Sequence, residues 1–385
     1  MCRAILTGCT LSVLLVGGVW ADVPPGYEIV QVTQNPYYEG PPRMNNRGQL
    51  VFSRRLGDEP SNDEIMLYDD GQLIQLTDDN VRDANPDIND DGVIVWSRGI
   101  GPDDIHGPTL EVVMWRDGEM RRLTDDALND YAPEINNLGH VAWYKWIRGG
   151  CENSNSVICF YDGRTVEQIS DADWSHCTPA LNDYDEIAWT RYNFCEDPWT
   201  SDIMLYRNGV TMQLTDGQQC PQMEHINNRG QVVWQFHNPQ NGRKALELWE
   251  DGETTLLTDW GMNARLNDYG DVYFIRWYDD DEVYQAWLYL NSSFYQLTDD
   301  PFWNIDGDIN NAGEAVWHCG GGVPVLRRPA AQARGVPGGG YPRQGTRNRG
   351  ETVLSVSTRV HRGARRRALR RRGAGDATVD RECEE

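Results

Sequence analysis

The chain has 385 residues, enough for one large domain or two ordinary ones. Its formal net charge of -24 argues against nucleic acid as a partner, because phosphate binding needs a basic face. Lys145 and Lys244 are the only lysines, so the positive charge is nearly all arginine; the net acidity is that expected of a soluble, self-repelling exported protein.

Residues 1–21 read MCRAILTGCTLSVLLVGGVWA. Arg3 supplies a positive start, an apolar run follows, and Val19 and Ala21 are the small residues a signal peptidase reads. The run is too short to span a bilayer comfortably, and Asp22 ends it. A cleaved export signal is therefore expected, with a secreted, periplasmic or cell-surface destination. No later stretch is expected to cross a membrane. Cys2 and Cys9 leave with the leader. Cys151, Cys159, Cys177, Cys195 and Cys220 cluster in one part of the chain, which favours local disulfide staples. Cys151 and Cys159 could close one such loop, with connectivity open. No CxxC pair occurs and no histidine sits at ligand spacing, so no metal centre is expected.

Past the leader, residues 26–34 (GYEIVQVTQ) read as a β-strand. A self-similar motif then dominates: MNNRGQLVF at 44–52, INDDGVIVW at 88–96, INNLGHVAW at 135–143 and LNDYDEIAW at 181–189. It continues as INNRGQVVW at 226–234, LNDYGDVYF at 266–274 and INNAGEAVW at 309–317. Seven copies at a period of about 45 residues mark a repeat architecture. A second element, of the kind EIMLYDDGQLIQLTDD at 64–79, follows each of the first six copies. Short apolar runs broken by Asp-Gly or Asn-Gly are hairpin signals. Each repeat thus supplies about four strands, the first ending before the Asn turn and the second at the Trp. Four antiparallel strands repeated radially make a β-propeller blade. The expected fold is all-β, a propeller of seven four-stranded blades with a six-bladed ring as the alternative. The strand at 26–34 matches a blade's last strand, and placed in the final blade it would join the ring ends and remove exposed edges.

The PxINDxGxVVW…LYDG…LTDD pattern resembles the repeat of TolB-type β-propellers, whose blades carry a Ser-Pro-Asp-Gly turn before an apolar strand and end in Leu-Thr. Here Asn-Asp or Asn-Asn stands in place of Ser-Pro-Asp. The likeness covers residues 27–317. It implies a propeller, in a family that spans scaffolds, peptidase-associated propellers and a few lyases that rely on histidine-rich metal sites.

The organisation expected is a leader at 1–21, a propeller at 22–319 and a Gly/Pro/Arg-rich tail at 320–385. The tail contains RGARRRALRRRG and lacks the repeat. It reads as a poorly ordered basic tail or as the product of a frame slip near His318.

The Asn-x-x-Gly turns recur in every blade and read as turn chemistry, with Asn or Asp bonding their own backbone and Gly supplying positive φ. The recurring Trp reads as core between blades. The Thr-Asp-Asp ends are expected to be solvated turns. Calcium binding there is the alternative, since carboxylate oxygens are its preferred ligands, and no other cofactor is expected. Function is sought where the repeat disagrees with itself. The residue before each motif is Arg43, Asp87, Glu134, Ala180, His225, Arg265 and Asp308 in turn. It belongs to the innermost strand, so the charged ones and His225 are candidates for a polar ligand in the central channel, with mutual ion pairing as the structural reading. Loops between blades carry Tyr131, Trp174, His176, Trp260 and Trp303, which could stack on sugars or anchor a peptide. No nucleophile elbow or HExxH occurs, so no catalytic residue is named. The expected function is a monomeric binding or scaffolding module for a protein or carbohydrate partner. A polysaccharide lyase or hydrolase centred on the channel is the alternative.

Overall fold

The computed structural model describes residues 23–35, 37–56, 63–79, 81–100, 109–147, 155–194, 200–217, 219–320 and 322–329. Every regular element among them is a β-strand, and none is a helix able to cross a membrane. The strands form seven four-stranded antiparallel sheets, the blades of a closed propeller. Blades 1 to 6 span 43–75, 83–122, 130–168, 175–213, 222–258 and 262–296.

Blade 2 shows the grammar: Asp83–Ile88 is innermost, then come Ile94–Ile100 and Thr109–Arg116, with Glu119–Arg122 outermost. The second strand does not end at Trp96 as expected. It runs on to Ile100 because it pairs residue for residue with the third strand, from Ile94↔Trp115 to Ile100↔Thr109. The outermost strand is exposed throughout, so the blade's apolar residues lie on its inner three strands and pack on its neighbours. Trp96 and Ile88, for example, share a core with Val51 and Ile65 of blade 1.

Blade 7 joins the two ends of the chain. Asn304–Ile309, Ala315–Cys319 and Pro324–Arg327 are its inner strands, and Glu28–Gln31 is its outermost. The N-terminal strand pairs Glu28↔Arg327 through Gln31↔Pro324. The propeller boundary expected at Cys319 is therefore corrected to lie beyond Arg327. The physical reason is burial on both faces: Val323 and Val325 pack with Met44 and Phe52, while Leu326 packs with Trp317. A polar relay reinforces the closure. Thr33 accepts from the Val323 N–H at 2.9 Å and donates to buried Glu39, which pairs with Arg54 of blade 1. Residues 1–22, where the leader is expected, and residues 330–385 lie outside the described residues.

Beneath the recurring Trp runs a device the repeat did not announce. The indole N–H of Trp96, Trp143, Trp189 and Trp317 donates to Asp83 (2.7 Å), Asp130 (2.6 Å), His176 (2.8 Å) and Asn304 (3.2 Å), each 13 residues upstream. Blade 5 has Pro221 at that position, and Glu247 of the third strand accepts from Trp234 instead. Burying the indole thus leaves no unpaired donor. Cys159 is a free, buried thiol packed beside Trp143 and Val157, so the Cys151–Cys159 loop, one pairing the sequence left open, is not closed; Cys151 itself lies outside the described residues.

Candidate functional site

The two faces of the ring follow from strand direction. Turns joining the first strand to the second and the third to the fourth lie on one face, the turn face. Loops joining the second to the third, and one blade to the next, lie on the other.

On the turn face each Asn closes its own turn. In blade 2 the Asn89 Oδ1 accepts from the Asp91 and Val93 N–H groups, both at 3.0 Å, and Gly92 holds φ 75°. The turns are then linked around the ring. The amide of Asn45, Asn89, Asn136, Asn182, Asn227, Asn267 and Asn310 donates to the carbonyl of the equivalent Asn of the next blade, and the last bond returns to Asn45. A second ring uses the next residue: Asn46, Asp90, Asn137, Asp183, Asn228, Asp268 and Asn311. The backbone N–H of each donates to the following side chain at 2.7–2.9 Å. Asn and Asp alternate except at the closure, where Asn311 meets Asn46, so amides flank each carboxylate: Asp183 Oδ2 accepts from Asn137 and Asn228 at 3.0 and 2.9 Å. Asp90, Asp183 and Asp268 each accept three such bonds from the turns on either side.

Just inside, Arg43, Asp87, Glu134, His225, Arg265 and Asp308 line one axial cavity of about 160 Å³. They divide into two kinds. Asp308 accepts from the Met44 N–H at 2.9 Å, Asp87 from Ile135 at 2.8 Å and His225 Nδ1 from Leu266 at 3.2 Å. Each fastens its blade to the next. Burial, then the charges of Arg265 and Arg43, hold the His225 imidazole well below its ordinary pKa, so it is neutral. Burial, with Glu134 nearby, pushes Asp87 up to about 7. The other three face the channel. Arg265 pairs with Glu134 across the ring at 3.0 Å. Arg43 makes one hydrogen bond, to the Pro42 carbonyl at 3.2 Å, and forms no ion pair with the described residues.

Toward the loop face the innermost strands of blades 2 to 7 each bulge. At each bulge a non-glycine residue takes a left-handed φ: Asn85 (53°), Ala132 (46°), Thr178 (50°), Met223 (54°), Asn263 (51°) and Asp306 (37°). Such a residue costs about 1 kcal/mol or more, and six around one mouth mark a shaped feature. All six line a cup of about 310 Å³ whose inner end is Arg43, Glu134 and Arg265. Proline and alanine side chains make much of its wall. Glu224 stands in that wall, accepting from the hydroxyls of Thr178 at 3.3 Å and Thr190. Its burial pushes the carboxyl up to about 8.

The cup continues into a cleft of about 1450 Å³ on the loop face of blades 4 to 7, sharing Met223, Asn263 and Asp306 with it. Trp260, Trp277, Tyr284 and Trp303 line the cleft with Gln222, Gln235, Arg243 and Lys244. The aromatics are fixed by neighbours. Trp277 packs on Tyr284 at 4.7 Å and Tyr284 edge-on to Trp303 at 6.0 Å, while Arg243 covers Trp260 at 4.3 Å. Asn263 bonds Asp306 at 3.1 Å where cleft meets cup.

Of the loop candidates, Trp260 and Trp303 therefore converge. Trp174 stands apart under Arg191, at 5.2 Å. The expectation that His176 lies in an open loop is corrected: it is buried in the strand Ser175–Leu181 as the acceptor for Trp189. The Asp ends of the LTDD elements have protein partners in blades 1 and 2. Glu64, Asp79 and Asp83 come close enough to share a cation, but Arg98 bonds Asp79 and Asp83 at 2.5 and 2.7 Å. Lys145 likewise bonds Asp126 at 2.5 Å.

No family model matches the chain, and no curated protein does. Solved propellers resemble it. The β-propeller domain of the trilobed protease from Pyrococcus furiosus superposes with a TM-score of 0.55 at 12% identity, over 74% of this chain and 92% of that one. That propeller has an open velcro topology, whereas here the first strand closes the ring. A streptogramin B lyase gives a TM-score of 0.55 at 12% identity, over 79% of this chain and 98% of that one. TolB from Acinetobacter baumannii is also similar, at a TM-score of 0.43 and 14% identity over 65% of this chain and 61% of that one. At 12% identity the two superpositions at a TM-score of 0.55 establish the β-propeller fold and nothing narrower; the seven blades are counted from the sheets of this chain.

Proposed function

We propose that this propeller is an exported, monomeric glycan-binding module whose ligand lies in the cleft on the loop face. The observation that carries the reading is the convergence of Trp260, Trp277, Tyr284 and Trp303 with Gln222, Gln235, Asn263 and Arg243 in one open groove. Flat aromatic faces stack on the apolar faces of sugar rings. Amide and guanidinium groups beside them match hydroxyls in both donor and acceptor roles. The packed rings lose little side-chain freedom on binding. The leader pattern at 1–21 supports export. A channel-centred lyase or hydrolase receives less support, because Asp87, His225 and Asp308 already accept backbone N–H groups from the next blade.

Affinity electrophoresis against a panel of soluble neutral and acidic polysaccharides tests the reading. At least one polysaccharide should retard the protein, and Trp260→Ala with Trp303→Ala should weaken that retardation by roughly ten- to a hundredfold. Absence of retardation by every polysaccharide, or retardation indifferent to both tryptophans, would overturn it.

A further inference from the structure

The cup is built for more than the end of a neutral chain. At its inner end the Arg43 guanidinium, with five N–H donors, satisfies one of them on the Pro42 carbonyl. The acids around it favour its charge, but none of them bonds it. Glu134 is held by Arg265, Asp308 by the N–H groups of Met44 and Ile309, and Asp87 by Ile135. A half-buried guanidinium without a matched acceptor is costly, and its planar fork fits a carboxylate through two parallel bonds. Pro41, Pro133, Pro179 and Ala264 wall the approach, and apolar walls strengthen such a pair. Glu224 does not oppose an anion there: with its carboxyl pushed up to about 8, it is neutral and able to donate at pH 7.

Resting on the glycan reading, we propose that the cup receives a carboxylate at the end of the ligand lying in the cleft, with Arg43 as its counter-ion. The ligand class is then a glycan ending in an acidic sugar, running inward past Asn263 and Asp306 to the axis.

The full chain, labelled with nitrogen-15, can be titrated with sodium glucuronate, sodium acetate and glucose while the arginine Nε–H resonances are followed. The Arg43 signal is identified by its loss in Arg43→Gln. Both carboxylates should shift that signal saturably, glucuronate at lower concentration than acetate, and glucose should not. Arg43→Gln should weaken glucuronate binding by about ten- to a hundredfold. Arg43→Lys, which keeps the charge without the fork, should weaken it less and decides the matter if Arg43→Gln does not fold. No saturable shift with glucuronate, or equal affinity in the wild type and the folded variant, overturns the proposal. Retardation by neutral polysaccharides needs no carboxylate. Its presence beside a failed glucuronate titration removes this proposal alone, and its absence beside a successful one removes the glycan reading while the carboxylate site stands.

Discussion

The turn face and the loop face of this ring are made from the same seven repeats and end in opposite states. On the turn face Asn89, Asp90 and their counterparts spend their hydrogen-bonding capacity on one another, in two circuits that close on the first blade. On the loop face the blades diverge, the innermost strands bulge, and Arg43 and the aromatic rings of the cleft line open space. Identical residues at identical positions can satisfy each other around a ring, because every blade offers its neighbour the same donor and acceptor. Divergent residues cannot, and their open valences are available to a ligand. The repeat therefore builds the molecule where it is regular and leaves it able to bind where it is not.

That contrast breaks if damage to regular positions alters binding directly, or if damage to the cleft unfolds the ring. The largest effect should come from Trp143→Ala. It opens a cavity between blades 2 and 3 and takes the indole donor from the Asp130 carboxylate, which keeps Lys145 at 3.6 Å. A loss of about 3–5 kcal/mol is expected from urea unfolding, with polysaccharide affinity unchanged in the protein that remains folded. A loss that depends on pH should follow from the buried acid of the cup. Glu224 titrates near 8 when folded, against an ordinary 4.5. The folded state thus holds a proton that the unfolded chain releases above 4.5, and stability should fall as pH rises from about 4.5 to 8. Glu224→Gln keeps a neutral acceptor for Thr190 and should flatten that slope, raising Tm at pH 8 and leaving it nearly unchanged at pH 5. Scanning calorimetry across the range checks this, and parallel curves for the two proteins would contradict it. Next comes Asn136→Ala, which leaves the Leu138 and His140 N–H groups without their acceptor and cuts the link to Asn182. About 1–2 kcal/mol should be lost, again without effect on binding.

The architecture was legible because a propeller writes itself repeatedly. The spacing of the Asn-x-x-Gly copies set the blade count, and the orphan strand at 26–34 announced the closure. The axial residues were legible for a related reason: a position that changes while its neighbours hold still stands out, and Arg43, Glu134 and Arg265 do meet at the channel. Other features left weaker marks. The acceptors 13 residues before each Trp differ in type (Asp83, His176, Asn304), so His176 read as a loop residue when it was doing the work of Asp83. The left-handed bulges fall on Ala132, Thr178 and Met223, types that do not favour positive φ, and tertiary packing imposes the conformation. In blades 2 to 4 the next residue is proline, which ordinarily holds its predecessor extended. Trp277 and Tyr284 went unnoticed because they flank a hairpin loop within one blade, and only the curvature of the ring sets them beside Trp260 and Trp303. The strand Pro324–Arg327 was hidden by its surroundings, since Gly, Pro and Arg enrichment on either side masks a short valine run.

The smallest change in stability should come from the comparison that tests the two faces most directly. Tyr184 on the turn face is 70% exposed and Trp303 on the loop face 55% exposed. Both are large, solvated aromatics, so Tyr184→Ala and Trp303→Ala should each move stability by no more than about 0.5–1 kcal/mol. Trp303 also donates to the Glu282 carbonyl at 3.0 Å, but that carbonyl can turn to water when the indole is removed. Binding should separate the pair. Trp303→Ala takes one wall from the cleft and should weaken polysaccharide retardation about tenfold, whereas Tyr184→Ala should leave it where it was. Both are exposed aromatics of the same ring, so a difference between them in binding reports chiefly their position on it. If Tyr184→Ala weakens retardation as much as Trp303→Ala does, aromatic surface alone governs binding and the cleft has no special standing.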